Sequence, residues 1–163
     1  MARDLYLFHG KGGSPNGSVS VLESALRPYF HDAPFHRPQI RHHDPNVLAE
    51  DSLAALSELK LPPEVTVIGI SLGGLIAARM QETTRADLTV VCVSSPTWAD
   101  GVRLERSMAN RAAIYSSNDE VIQGRTSDWP SLARAIEIPE LTHDTDKHAD
   151  LLARTIASYL SGS

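Results

Sequence analysis

The sequence predicts an α/β protein: a parallel sheet of about six strands covered by helices on both faces, a three-layer sandwich. Two observations carry this. Apolar, β-branched runs alternate six times with segments of helical periodicity, the signature of strands joined by helical crossovers. Within that alternation, Val65-Thr66-Val67-Ile68-Gly69-Ile70-Ser71-Leu72-Gly73-Gly74 passes from a buried-type strand directly into a helix with Leu72, Ile76 and Met80 on one face. A chain of 163 residues suits one domain spanning 1–163, with no sizeable cap domain.

The elements follow in order. Leu5 to Phe8 reads as a short apolar strand, followed by the Gly-rich loop His9-Gly10-Lys11-Gly12-Gly13. Val19, Leu22, Leu26 and Tyr29 recur at helical spacing. Gln39 to His43 reads as an edge strand, and Asp44-Pro45 as a helix start whose buried face is Ala49, Leu53 and Leu56. After the Ser71 unit come a strand over Leu88–Val93, a polar segment over Ser94–Asn110 and a strand over Arg111–Ser117. A short helix is expected within 124–134, then a last strand over Ala135–Ile138, ended by Pro139, and a final helix with Ala149, Leu152, Ala153, Ile156 and Leu160 on its stripe.

Right-handed crossovers put every strand-to-helix loop of a parallel sheet on one edge. His9–Gly13, Ser71, Ser94–Asp100, Asp119 and His143 therefore gather on a single rim. Gly69, Ser71 and Gly73 form G-x-S-x-G at a strand-to-helix junction. A serine at that apex must sit in a sharply turned backbone to stand clear of the sheet, with glycines where strand and helix cross closely. Serine is a poor nucleophile at neutral pH and needs a base that is itself oriented by an acid. The rim offers Asp119 as the acid, with Asp100 as reserve. It offers His143 as the base, with His148 as second choice, because His148 stands five residues further on, at the opening of the last helix. Two backbone N–H groups, those of Leu72 and Lys11, are placed for an oxyanion. The loop around Lys11 lacks G-x-x-x-x-G-K-[ST], so its glycines serve close backbone approach, not phosphate.

Composition narrows the partners. A net charge of −5 without a basic run argues against nucleic acid or an anionic membrane surface. The single cysteine, Cys92, lies mid-strand and reads as a buried, inert thiol. His36, His42, His43 and Asp44 lack the spacing of a metal site and read as solvated loop and edge strand, so no metal is expected. No signal peptide or bilayer-length apolar run is evident, which gives a cytoplasmic protein as the expectation.

The residues Leu7-Phe8-His9-Gly10, Gly69-Ile70-Ser71-Leu72-Gly73-Gly74, Ser117-Asn118-Asp119-Glu120-Val121 and Leu141-Thr142-His143 resemble the α/β-hydrolase superfamily over nearly the whole chain. They are most similar to its small capless serine esterases, of the retinoblastoma-binding-protein-9-like and small bacterial types. The resemblance implies a sheet in the order 2-1-3-4-5-6. It also implies hydrolysis of a carboxylic ester or thioester through an acyl-enzyme on Ser71, His143 and Asp119, without a cofactor. An amidase, lactonase or acyltransferase on the same residues, or a non-catalytic binding protein on the same fold, is the alternative. The final loop departs from the commoner Gly-x-Gly-His by reading Leu-Thr-His. Ser94 to Asn110 is expected either to form a short flap bearing Trp98, Val102, Leu104 and Met108, with Trp98 and Val121 lining the substrate pocket, or to be plain surface structure. So little cover suits short or medium acyl groups.

Overall fold

The computed structural model describes residues 3–162; Met1, Ala2 and Ser163 lie outside the described residues. In chain order the elements are β1 (Leu5–Phe8), α1 (Ser18–Leu26), β2 (Phe35–His36), α2 (Ala49–Leu56), β3 (Thr66–Ile70), α3 (Leu72–Thr83), β4 (Thr89–Val93), β5 (Trp98–Ala99), β6 (Val102–Arg103), β7 (Arg111–Tyr115), α4 (Trp129–Leu132), β8 (Arg134–Glu137) and α5 (Ala149–Leu160).

Six strands form one parallel sheet in the order β2-β1-β3-β4-β7-β8. Counting sheet strands alone, this is the expected 2-1-3-4-5-6. Residue alternation sorts the two faces, because successive side chains of a strand point to opposite sides. Val67, Val90 and Cys92 pack with α2, α3 and α4, whereas Ile68, Val91 and Val93 pack with α1 and α5. Both faces being covered explains why the central strands read as unbroken apolar runs. Cys92 is buried and its Sγ meets the Gly74 carbonyl at 3.4 Å; burial pushes its thiol up to about 12, so it stays protonated and unreactive.

Several boundaries differ from the sequence expectation. The edge strand is Phe35–His36, paired with Leu5 and Tyr6, and Arg41–His43 is a 3-10 turn instead of a strand. The reason lies in His9. Its Nε2 accepts from the Ile40 N–H at 2.9 Å, and its carbonyl accepts from His42 Nε2–H at 2.8 Å. Gly12 N–H in turn reaches the His42 carbonyl at 2.8 Å. These bonds pull residues 40–42 across the end of β1 instead of along its side. Asp44 likewise starts no helix. Its Oδ1 accepts from the Asn46 N–H at 2.9 Å in a local turn, and α2 begins only at Ala49. The last strand runs one residue earlier than expected at each end.

Residues 94–110 hold the antiparallel hairpin β5–β6. Val102 and Leu104 are buried in the core beside α3, and Glu105 N–H donates to Glu82 Oε1 at 3.0 Å. The hairpin is thus anchored to α3 through its second strand, and its tip borders the cavity described below.

One feature of the core was invisible in the sequence. Arg111 and Glu82 are both fully buried and paired at 3.0 Å. The remaining guanidinium donors of Arg111 reach Gln81 Oε1 and the carbonyls of Ala78, Arg106 and Leu132. Such a charge is tolerated only because every donor is satisfied. Among the described residues no helix is long and apolar enough to cross a membrane, and no three His, Cys, Asp or Glu side chains are grouped for a metal ion.

Candidate active site

Ser71 stands between β3 and α3 with φ 54° and ψ −121°, a left-handed conformation that non-glycine residues seldom adopt. Its N–H is held by the Val93 carbonyl at 2.7 Å, and its own carbonyl accepts from Gly74 N–H at 3.1 Å. A Cβ on Gly69 would run into the backbone of Gly73 and Gly74, and one on Gly73 into the carbonyls of Phe8 and His9. Tight crossing of β3, α3 and β1 is what turns the serine outward.

Ser71 Oγ–H donates to His143 Nε2 at 3.1 Å, and His143 Nδ1–H donates to Asp119 Oδ2 at 2.9 Å. The relay joins three rim loops separated by up to 72 residues. The Asp119 side chain is only 1% exposed and that of His143 26%. Asp119 is fixed from below: its Oδ1 accepts from Val121 N–H at 3.0 Å and its own N–H donates to the Ser116 carbonyl at 3.1 Å. Ser116 Oγ–H in turn donates to the Pro139 carbonyl at 3.1 Å, tying the loop after β7 to the loop after β8 that carries His143.

The reserve residues are engaged elsewhere. Asp100, at the hairpin tip, faces Lys11 Nζ at 3.7 Å. His148 Nε2 accepts from Thr142 N–H at 3.2 Å, which fastens the loop ahead of α5. Ser71 lines a cavity of about 580 Å³ together with Gly10, Lys11, Leu72, His143 and Arg125. The N–H groups of Leu72, in the first turn of α3, and of Lys11 take no hydrogen bond within the protein among the described residues. Gly10 lies so close that a Cβ there would sit 3.9 Å from Ser71 Oγ.

Below this loop the two histidines His9 and His42 pack edge to face, with ring centroids 5.1 Å apart. His9 Nδ1–H donates to the Gly10 carbonyl at 2.8 Å, so its Nε2 must be the bare acceptor for Ile40 N–H. Burial lowers the affinity of both rings for a second proton, that of His42 to about 4. Sequence inspection placed His42 in a solvated edge strand; it is instead a buried brace for the loop that carries Lys11.

Val121 lines this cavity and Trp98, expected beside it, does not. Strand alternation turns Ala99 toward the cavity and Trp98 away from it; the guanidinium carbons of Arg103 and Arg125 lie 5.4 and 5.3 Å from the Trp98 ring centre. A larger cavity of about 800 Å³ opens among Leu5, Thr66, Thr89 and Arg134. These residues begin β1, β3, β4 and β8, so that cavity lies at the opposite edge of the sheet from Ser71.

No protein-family model and no curated protein sequence matches the chain. Solved structures do. A Xanthomonas campestris pv. campestris protein assigned to the α/β hydrolase superfamily superposes with a TM-score of 0.76 at 19% identity, over 99% of both chains. The ydeN gene product of Bacillus subtilis gives 0.72 at 16% identity, over 98% of this chain and 99% of that one. Mouse α/β hydrolase domain-containing protein 10 gives 0.74 at 12% identity, over 99% and 90%. The chain has the α/β-hydrolase fold. Ser71, Asp119 and His143 stand in that chain order, in the loops that follow β3, β7 and β8. Identities this low speak for the fold alone.

Proposed function

We propose that this chain is a serine hydrolase that cleaves a carboxylic ester or thioester through an acyl-enzyme. The observation that carries the reading is the unbroken hydrogen-bond line from Ser71 Oγ through His143 to buried Asp119. In the first half-reaction Ser71 Oγ attacks the acyl carbon while its proton passes to His143 Nε2. The carboxylate of Asp119, bonded to Nδ1–H, stabilises the imidazolium so formed. The N–H groups of Leu72 and Lys11 receive the negative charge that develops on the carbonyl oxygen. His143 then returns its proton to the departing alcohol or thiol. In the second half-reaction water attacks the acyl carbon while giving a proton to His143, which then passes that proton to Ser71 Oγ as the acyl–oxygen bond breaks and the carboxylic acid leaves. Every step runs on side chains and backbone of this chain, and the implied partner is a small-molecule ester or thioester.

The test is labelling with a fluorophosphonate, followed by a panel of acyl esters. Ser71→Ala is expected to abolish labelling and to lower kcat by about 10⁴-fold or more. Acetyl to hexanoyl esters are expected to turn over faster than palmitoyl, because among the described residues no cap domain is inserted to enclose a long chain. Labelling that persists in Ser71→Ala would overturn the assignment. Intact folding with neither labelling nor turnover would favour a binding protein on the same fold.

A further inference from the structure

We propose that Arg125 makes this site selective for esters that carry a second, anionic group, such as a carboxylate remote from the scissile carbonyl. The inference rests on the hydrolase reading and adds a substrate class to it.

Three side chains of the Lys, Arg, Asp and Glu types line the cavity that holds Ser71: Lys11, Asp100 and Arg125. The first two face each other at 3.7 Å and largely cancel. Arg125 is left. Among the described residues no carboxylate pairs with it. Arg125 therefore adds an unpaired positive charge to the wall of this cavity, in a chain whose net charge is −5. His9 adds little to this charge, because burial lowers its affinity for a second proton.

Arg125 is also held in place. One Nη donates to the Trp98 carbonyl at 3.3 Å and the other to the Val121 carbonyl at 3.2 Å, while the guanidinium lies against the Trp98 ring. Its backbone is pinned as well, by Thr97 N–H on its carbonyl at 2.9 Å and by its own N–H on the Ile122 carbonyl at 2.9 Å. Two carbonyls occupy two of five guanidinium donors, and carbonyls do not neutralise the charge. The remaining N–H groups are preorganised for a carboxylate, and a planar fork suits that ion better than an ammonium does.

Two matched pairs of esters test the inference. Mono-p-nitrophenyl adipate against p-nitrophenyl hexanoate places the charge on the acyl side. 4-Acetoxyphenylacetate against its methyl ester places it on the leaving side. The expected result is that at least one charged member exceeds its neutral partner about tenfold or more in kcat/KM, and that added salt reduces the ratio. Arg125→Gln should bring the ratio to within about threefold of one, and Arg125→Lys should restore part of it, with thermal melts confirming that each variant is folded. Equal rates within both pairs, or a ratio that survives Arg125→Gln, would overturn the proposal. Fluorophosphonate labelling keeps the two readings apart, since protein that labels without preferring either charged ester refutes the anion site alone. Calorimetric titration of Ser71→Ala with monomethyl adipate and methyl hexanoate reads the anion site without any turnover. Tighter binding of the adipate that is lost on adding Arg125→Gln supports it, and equal binding of the two overturns it.

Discussion

Removing the titration of His42 should flatten the acid limb of this protein's stability curve. His42 is fully buried, and its Nε2–H is spent on the His9 carbonyl at 2.8 Å. Its Nδ1 has no hydrogen-bond partner within the protein, so a second proton there would be a buried, unpaired charge. Burial is the main reason its pKa falls to about 4; His9, His43 and Lys11 push the same way, and the bond to the His9 carbonyl opposes them. In the unfolded chain the ring titrates at about 6.5. Between those values the unfolded state binds the extra proton and the native state does not, so this contribution is complete above about pH 6.5 and lost as pH falls toward 4. The gap corresponds to about 3 kcal/mol, with a steepest slope of about 1.4 kcal/mol per pH unit. Gln at position 42 can keep the donation to the His9 carbonyl without titrating. Urea unfolding of the native protein and of His42→Gln, from pH 7.5 to pH 4, should therefore show the native protein losing about 3 kcal/mol more over the range. Parallel curves would refute the argument, because a histidine that gains a proton equally easily in both states contributes no slope.

The acid and base of the relay are separable from their reserves. Asp119→Asn should lower kcat by about 10⁴-fold by leaving His143 in the wrong tautomer, whereas Asp100→Asn, which breaks only a partly exposed pair with Lys11, should change it by less than about tenfold. His143→Gln should abolish fluorophosphonate labelling, while His148→Gln, which loses an acceptor for Thr142 N–H, should keep it and melt slightly earlier. Glu82→Ala should destabilise the fold by about 3–5 kcal/mol in urea, since it strands the buried guanidinium of Arg111; a loss below about 1 kcal/mol would mean that the carbonyls around Arg111 suffice without the carboxylate.

What the sequence determined by itself was whatever depends on neighbours along the chain. The unbroken apolar strands, the face of α3 and the strand-glycine-serine-helix junction are local patterns, and they located Ser71 and its turned backbone without coordinates. The handedness of crossovers then placed Asp119 and His143 on the same edge, because that rule needs only the order of the elements. Tertiary structure decided whatever depends on partners distant in sequence. Residues 39–43 have a strand-like composition, yet His9, more than 30 positions upstream, captures Ile40 and His42 and bends them across the sheet edge. Arg111 opens a central strand where sequence alone offers no reason for a charge; its acid lies 29 positions earlier, at the end of α3. The role of Arg125 is illegible in the sequence for a similar reason. Nothing near it in the chain shows that a tryptophan ring and two carbonyls fix it at the cavity wall, or that Lys11 and Asp100 cancel and leave it the uncompensated charge there. Periodicity records which face of an element is buried, whereas the pairing of polar groups is settled only once the folded backbone has brought them within about 3 Å of one another.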